Sequence, residues 1–208
     1  MISVDDLMDL APVIPVLVID DVAHARPIAE ALVKGGIHAL EVTLRTPVAL
    51  EAMREMATVE GAVVGAGTVV NERQLDQALA AGARFIVSPG LTENLGRAVI
   101  ASGLPYLPGI SDAADIMRGL DLGLTRFKFF PAEASGGIPA LKALAAPFFQ
   151  CRFCPTGGIT ERTAPGWLTL PAVGCVGGSW LVPAGIPDTD AITGRALKAS
   201  AMDRPDDR

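Results

Sequence analysis

Apolar runs rich in Val, Ile and Phe recur at near-regular intervals: VIPVLVI (13 to 19), ALEVTLR (39 to 45), VVGAGTV (63 to 69), RFIVSPG (84 to 90), LPYLPGI (104 to 110), RFKFFPA (126 to 132), RFCPTGG (152 to 158) and VGCVGGSW (173 to 180). They predict eight short strands. The stretches between them carry helical grammar. HARPIAEALVKGG ends in a glycine pair, TPVALEAMREMA offers Thr46 as cap with Pro47 in the first turn, and NERQLDQALAAG starts with an Asn cap and stops at Gly82. TENLGRAVIASG and SDAADIMRGLDLG follow the same pattern. The weakest helix is TERTAPGWLTLP after the seventh run, where Pro165 and Gly166 interrupt the periodicity.

Each strand and helix together take about 20 to 26 residues, a spacing that forces parallel pairing. Eight such units predict an α/β fold, a closed (β/α)8 TIM barrel. An open doubly wound sheet gives similar periodicity, but eight near-equal units without a long central break favour closure. SVDDLMDLA, before the first strand, is expected to form an extra N-terminal helix under the barrel. The whole of 1–208 is expected to be one domain, with about 201–208 a frayed tail.

The chain is 50% apolar and 19% charged, too apolar for disorder, and its scarce aromatics imply a core of small aliphatic side chains. A net charge of -6, with acids spread along the chain, argues against a nucleic-acid or membrane partner but leaves a locally positive anion site open. Cys151, Cys154 and Cys175 form no disulfide framework and are expected to be buried packing residues. The N-terminal stretch has acids where a secretory signal needs bases, and its apolar run is too short to span a bilayer, so a cytoplasmic location is expected.

Active sites of this fold sit at the C-terminal ends of the strands. By alternation Glu41, Thr43 and Arg45 share the inward face of the second strand, and Thr68 continues the face of Val64 and Ala66 on the third. Lys128 points away from Phe127 and Phe129 on the sixth. A cation and a carboxylate aimed into one interior must be paired, solvated or functional. A plain Lys128–Glu41 salt bridge is the structural alternative. The functional reading gains from PTGGI and VGGSW, which put Gly157, Gly158, Gly178 and Ser179 at adjacent strand ends, where backbone amides hold phosphate in this fold. Either glycine pair alone could be a simple turn.

Phosphate and a desolvated lysine together suggest a phosphorylated carbonyl substrate, because an amine withdrawn from water loses its proton more readily and attacks a ketone to form a Schiff base. Glu41 is then placed to move protons, and Arg45 and Thr68 to hold a substrate carboxylate. No metal or organic cofactor is needed. The two histidines, His24 and His38, lie in a helix and before a strand and make no zinc set. GAGTV is not the dinucleotide fingerprint and stands on the wrong strand. Trp167 and Trp180 offer no base-stacking platform.

EVTLRT (41 to 46), GAGTV (65 to 69), SPG (88 to 90), PGI (108 to 110), FKFFPAE (127 to 133), FCPTGGI (153 to 159) and VGGSWLVP (176 to 183), in this order, resemble the 2-dehydro-3-deoxy-6-phosphogluconate aldolase family, also called KDPG/KHG aldolases. The resemblance covers about residues 5 to 200. It implies a class I aldolase, usually a homotrimer, that cleaves the phosphogluconate compound to pyruvate and glyceraldehyde 3-phosphate, with 4-hydroxy-2-oxoglutarate as an implied second substrate. It further implies Lys128 as Schiff-base lysine, Glu41 as general acid/base, Arg45 and Thr68 at the pyruvate end, and Gly157, Gly158, Gly178 and Ser179 at the phosphate end. Pro89 and Phe130, from the SPG and FKFFPAE motifs, are expected to line the pocket. Two departures stand out. Many relatives end the first strand with arginine, whereas Ile19 and Asp20 supply no cation here, and TERTAPGW is less regular than the family's helix. An aldolase for the C4 epimer, a sugar-phosphate isomerase or epimerase, and a non-catalytic phosphometabolite-binding barrel are the competing readings.

Overall fold

A computed structural model of the chain describes residues 2–204. Short strands alternate with helices: β1 (Val13–Leu17), β2 (Ala39–Thr43), β3 (Val63–Gly67), β4 (Ile86–Val87), β5 (Tyr106–Leu107), β6 (Gly109–Ile110), β7 (Arg126–Phe129), β8 (Arg152–Phe153) and β9 (Val176–Gly178). β5 and β6 are one barrel strand broken at Pro108, whose ring leaves no N–H for the ladder. All pairings are parallel, in the orders β5-β4-β3-β2-β1-β9 and β6-β7-β8. The two arcs join through Pro108 on one side. On the other, bridges Phe153↔Val173 and Thr156↔Gly177 connect them. The result is a distorted (β/α)8 barrel, as the periodicity predicted.

Helices surround the strands: α1 (Val4–Asp9), α2 (Ala25–Lys34), α3 (Ala49–Met56), α4 (Glu72–Ala80), α5 (Glu93–Ser102), α6 (Ala113–Asp121), α7 (Gly137–Ala145), α8 (Ala164–Leu168) and α9 (Thr189–Ser200). The caps of α4 and α5 are those the sequence indicates: Asn71 accepts from the Gln74 amide and Thr92 from the Leu95 amide. Thr46 does not cap α3. Its hydroxyl donates instead to the Ile19 carbonyl at 2.6 Å, tying the end of β2 to that of β1, and α3 starts at Ala49 after an N-cap, Val48, that makes no side-chain cap.

Alternation sorts the core into two clusters. Val13, Leu17, Leu40, Val42, Val64, Ala66, Phe127, Phe129 and Phe153 face the helices. Ile14, Ala39, Phe85, Leu107, Cys154 and Cys175 fill the lower lumen, and Leu7 and Met8 of α1 plug it from beneath. The cysteines are buried and form no disulfide. Arg204 ties the end of the described chain to this base, donating to the carbonyls of Met8, Asp9 and Gly174; the last four residues of the expected tail lie outside the described residues.

Val64 and Ala66 therefore sit on the helix side of β3, opposite to the expected lumen face. Gly65 and Gly67 take the lumen face: a Cβ on Gly65 would strike the Phe85 ring, and one on Gly67 would strike the Glu41 side chain. Small residues here leave the upper lumen open.

Candidate active site

At the C-terminal end of the barrel, above the apolar plug, lies a cavity of about 370 Å³. Lys128, Arg45, Thr68, Pro89, Phe130, Gly157, Gly158, Gly178 and Ser179 all line it. Glu41 stands beneath, joined to the cavity through Lys128. Gly177, the first glycine of the VGGSW pair, completes the wall together with Val16, Val18, Thr156 and Ile159, and these four were not singled out from sequence. The period-2 face of β1 (Ile14, Val16, Val18) and the place of Thr156 directly before the glycine pair are the signals that point to them.

Lys128 reaches the lumen because Phe127 and Phe129 on either side are fully buried against the helix layer, Phe127 on Phe153 and Phe129 on Trp167. Its Nζ donates to Glu41 Oε1 at 3.0 Å and Oε2 at 3.4 Å. With side chains only 8% and 4% exposed, this is a buried ion pair, one proton transfer from an amine beside a carboxylic acid. The Phe130 ring lies 5.4 Å from Nζ, within cation–π range. The ion pair of the structural alternative is thus formed, and it forms at the floor of the cavity rather than sealed in the core.

Thr68 enters the cavity by a different route from the one expected. Strict alternation would send it to the helix side with Val64 and Ala66. Its backbone instead takes the left-handed conformation, with φ 62, an outlier for a β-branched residue. Such a conformation costs about 1–3 kcal/mol, and strain of this kind concentrates at functional sites. Arg45, past the end of β2, lines the rim and forms no hydrogen bond or ion pair among the described residues.

The opposite wall is backbone. Gly157 and Gly158 have φ 105 and 79, accessible at low cost only to glycine. The N–H groups of Gly157, Gly158 and Ser179 donate to no protein acceptor among the described residues, leaving them free to meet an anion. The SPG turn is fixed from behind: the Ser88 hydroxyl donates to the Gly90 carbonyl at 2.7 Å and sits 2.8 Å from the Tyr106 hydroxyl. Burial pushes the Tyr106 hydroxyl up to about 12, opposed in part by the Ser88 hydrogen bond. A neighbouring cavity of about 360 Å³ shares Pro89 and Phe130 but has Asp115 as its one charged lining residue, the wrong sign for an anionic ligand.

Among the described residues no group of three or more His, Cys, Asp or Glu side chains is placed to hold a metal ion, and no helix is long and apolar enough to cross a membrane. The arrangement suits covalent amine chemistry on an anionic carbonyl compound.

The sequence profile of KDPG and KHG aldolase matches residues 4–194. The chain belongs to the KDPG/KHG aldolase family. It is 62% identical over 204 residues to the 2-dehydro-3-deoxy-phosphogluconate aldolase of Zymomonas mobilis, covering 98% of each chain. The crystal structure of the Zymomonas mobilis ZM4 aldolase with 3-phosphoglycerate superposes with a TM-score of 0.95 at 62% identity, covering 97% of this chain and 96% of that one. The KDPG aldolase of Legionella pneumophila, with pyruvate captured as a covalent carbinolamine, superposes with a TM-score of 0.93 at 46% identity, covering 96% of this chain and 99% of that one.

Proposed function

We propose that this chain is a class I aldolase that cleaves 2-dehydro-3-deoxy-6-phosphogluconate to pyruvate and glyceraldehyde 3-phosphate. The observation that carries the reading is the Lys128–Glu41 pair at the floor of a cavity with an unpaired guanidinium on one side and free backbone amides on another. Lys128 gives its proton to Glu41, 3.0 Å away, and adds through Nζ to the C2 ketone; Glu41 returns that proton to the carbinolamine hydroxyl, which leaves as water, so that an iminium forms and Glu41 is again a carboxylate. Arg45 and Thr68 hold the C1 carboxylate, and Gly157, Gly158, Gly178 and Ser179 hold the phosphate. Pro89 and Phe130 shape the space between.

Glu41 takes the C4 hydroxyl proton, directly or through water. The C3–C4 bond breaks, its electron pair flows into the iminium to give an enamine, and the aldehyde leaves. The enamine is protonated at the carbon that becomes the pyruvate methyl, and hydrolysis returns free Lys128. Water enters at this last step and leaves at the first, so the cleavage balances without a redox partner. The 62% identity to the Zymomonas mobilis enzyme and the carbinolamine of the Legionella pneumophila enzyme support this assignment. 4-Hydroxy-2-oxoglutarate, the same C1–C4 unit without the phosphate arm, is a second substrate in this reading. We further place the enzyme in the cytoplasm as a homotrimer.

The test is product analysis with the purified protein and the phosphorylated substrate, in the presence of a chelator. Pyruvate and glyceraldehyde 3-phosphate released in equal amounts support the proposal. Substrate turned over without pyruvate, or bound without turnover, overturns it in favour of an isomerase or a binding protein.

A further inference from the structure

The irregular stretch after β8 and the last residue of FKFFPAE are not used by the chemistry above, yet they meet behind the Gly157–Gly158 turn. Glu133 lies beyond β7, and its backbone N–H donates to the Gly157 carbonyl at 3.1 Å, continuing the bond from Ala132 N–H to the Thr156 carbonyl at 2.8 Å. Its Cβ and Cγ stand 2.8 Å from where a Cβ on Gly158 would be, so the Glu133 side chain forms the outer wall of the turn. Its Oε1 accepts from Trp167 Nε1 at 3.1 Å.

Trp167 is a firm anchor. It is 1% exposed and packs on Phe129, the neighbour of Lys128, with ring centroids 6.3 Å apart. Its helix α8 has only five residues, a proline in the first turn and no side-chain cap, too short to hold its place without packing. The turn itself has two left-handed residues with unbonded amides, so it draws no rigidity from amide bonds of its own. Glu133 is the side chain that links this turn to a buried ring.

We infer that Glu133 is a positioning residue: pinned by Trp167, it holds the Gly157–Gly158 turn in the conformation that directs its amides at the substrate phosphate. This rests on the phosphate role proposed above for that turn. The carboxylate works as a hydrogen-bond acceptor, so glutamine, which keeps an acceptor oxygen, substitutes for it and alanine does not.

The experiment compares Glu133→Ala, Glu133→Gln and Trp167→Phe by three readouts: KM and kcat for the phosphorylated substrate, borohydride trapping of pyruvate on Lys128, and titration of glycine-15N-labelled protein with inorganic phosphate followed at the Gly157 and Gly158 amides. Glu133→Ala is expected to raise KM about tenfold and to weaken phosphate by a similar factor, as for loss of a charge-assisted hydrogen bond. Pyruvate trapping stays as in the wild type, because its site is at the other end of the cavity. Glu133→Gln recovers KM to within about twofold, and Trp167→Phe, which removes the donor instead of the acceptor, reproduces the alanine result. Unchanged phosphate affinity in Glu133→Ala overturns the inference. So does a glutamine variant as impaired as alanine, or a loss of trapping equal to the loss in KM, the mark of general destabilisation. Should wild-type protein trap no pyruvate while phosphate still moves the two glycine amides in a Glu133-dependent way, the aldolase reading falls and the positioning role stands.

Discussion

Replacing Lys128 by methionine leaves the Glu41 carboxylate at the floor of the cavity without its cation. Both partners are more than nine-tenths buried, and both carboxylate oxygens lie within 3.4 Å of Nζ, so the pair is coupled tightly. Breaking a buried pair from one side costs about 3–5 kcal/mol. The cavity above admits water, which places this case at the lower end, about 3 kcal/mol. For a chain of this length that lowers Tm by about 6 to 12 °C. Replacing both residues, Lys128→Met with Glu41→Gln, removes the stranded charge, and stability returns to within about 1 kcal/mol of wild type while aldol cleavage stays absent. Urea titration of wild type, Lys128→Met, Glu41→Gln and the double variant at one fixed concentration gives the coupling energy. A lone Lys128→Met variant as stable as wild type refutes the coupling argument. A double variant no more stable than the single one favours a pair kept for stability rather than for chemistry.

Two further outcomes follow from the same geometry. Gly67→Ala puts a methyl group where the Glu41 carboxylate rests, so Glu41 swings off Lys128 and kcat falls on the order of 10²-fold, the lower range of a lost acid–base contribution; steady-state kinetics checks it, and wild-type kcat would show that Glu41 needs no such slot. Tyr106 is raised on folding from 10.0 to about 12, so the native state holds its proton where the unfolded chain releases it. That contribution is complete below pH ~10 and is lost as pH rises through ~12, by about 3 kcal/mol in all; urea midpoints measured from pH 9 to 11 should fall less steeply for Tyr106→Phe, and equal slopes would contradict the assignment.

The barrel was legible because its signal is periodic: apolar runs at regular spacing, punctuated by Asn71, Thr92 and helix-ending glycines, each a local choice that agrees with the global fold. Legibility ended where the backbone leaves the regular pattern. Alternation groups Thr68 with Val64 and Ala66, which face the helices, and only the left-handed turn at Thr68 brings it into the cavity. Thr46 reads as a cap by residue type, but the Ile19 carbonyl, a tertiary neighbour, captures its hydroxyl. Alternation alone brought Lys128 and Glu41 to one volume, though not whether they touch, because their separation depends on barrel curvature. The Glu133–Trp167 bond joins residues 34 apart and rests on a helix whose proline and glycine hide it from periodicity.

The central claim is that Lys128 forms the imine. Intact mass and peptide mapping after borohydride treatment, with and without pyruvate, test it most directly. The account predicts an adduct of about 72 Da on the peptide carrying Lys128, dependent on pyruvate and absent from Lys128→Ala. No adduct on folded protein that still binds pyruvate, or an adduct on another lysine, would contradict it.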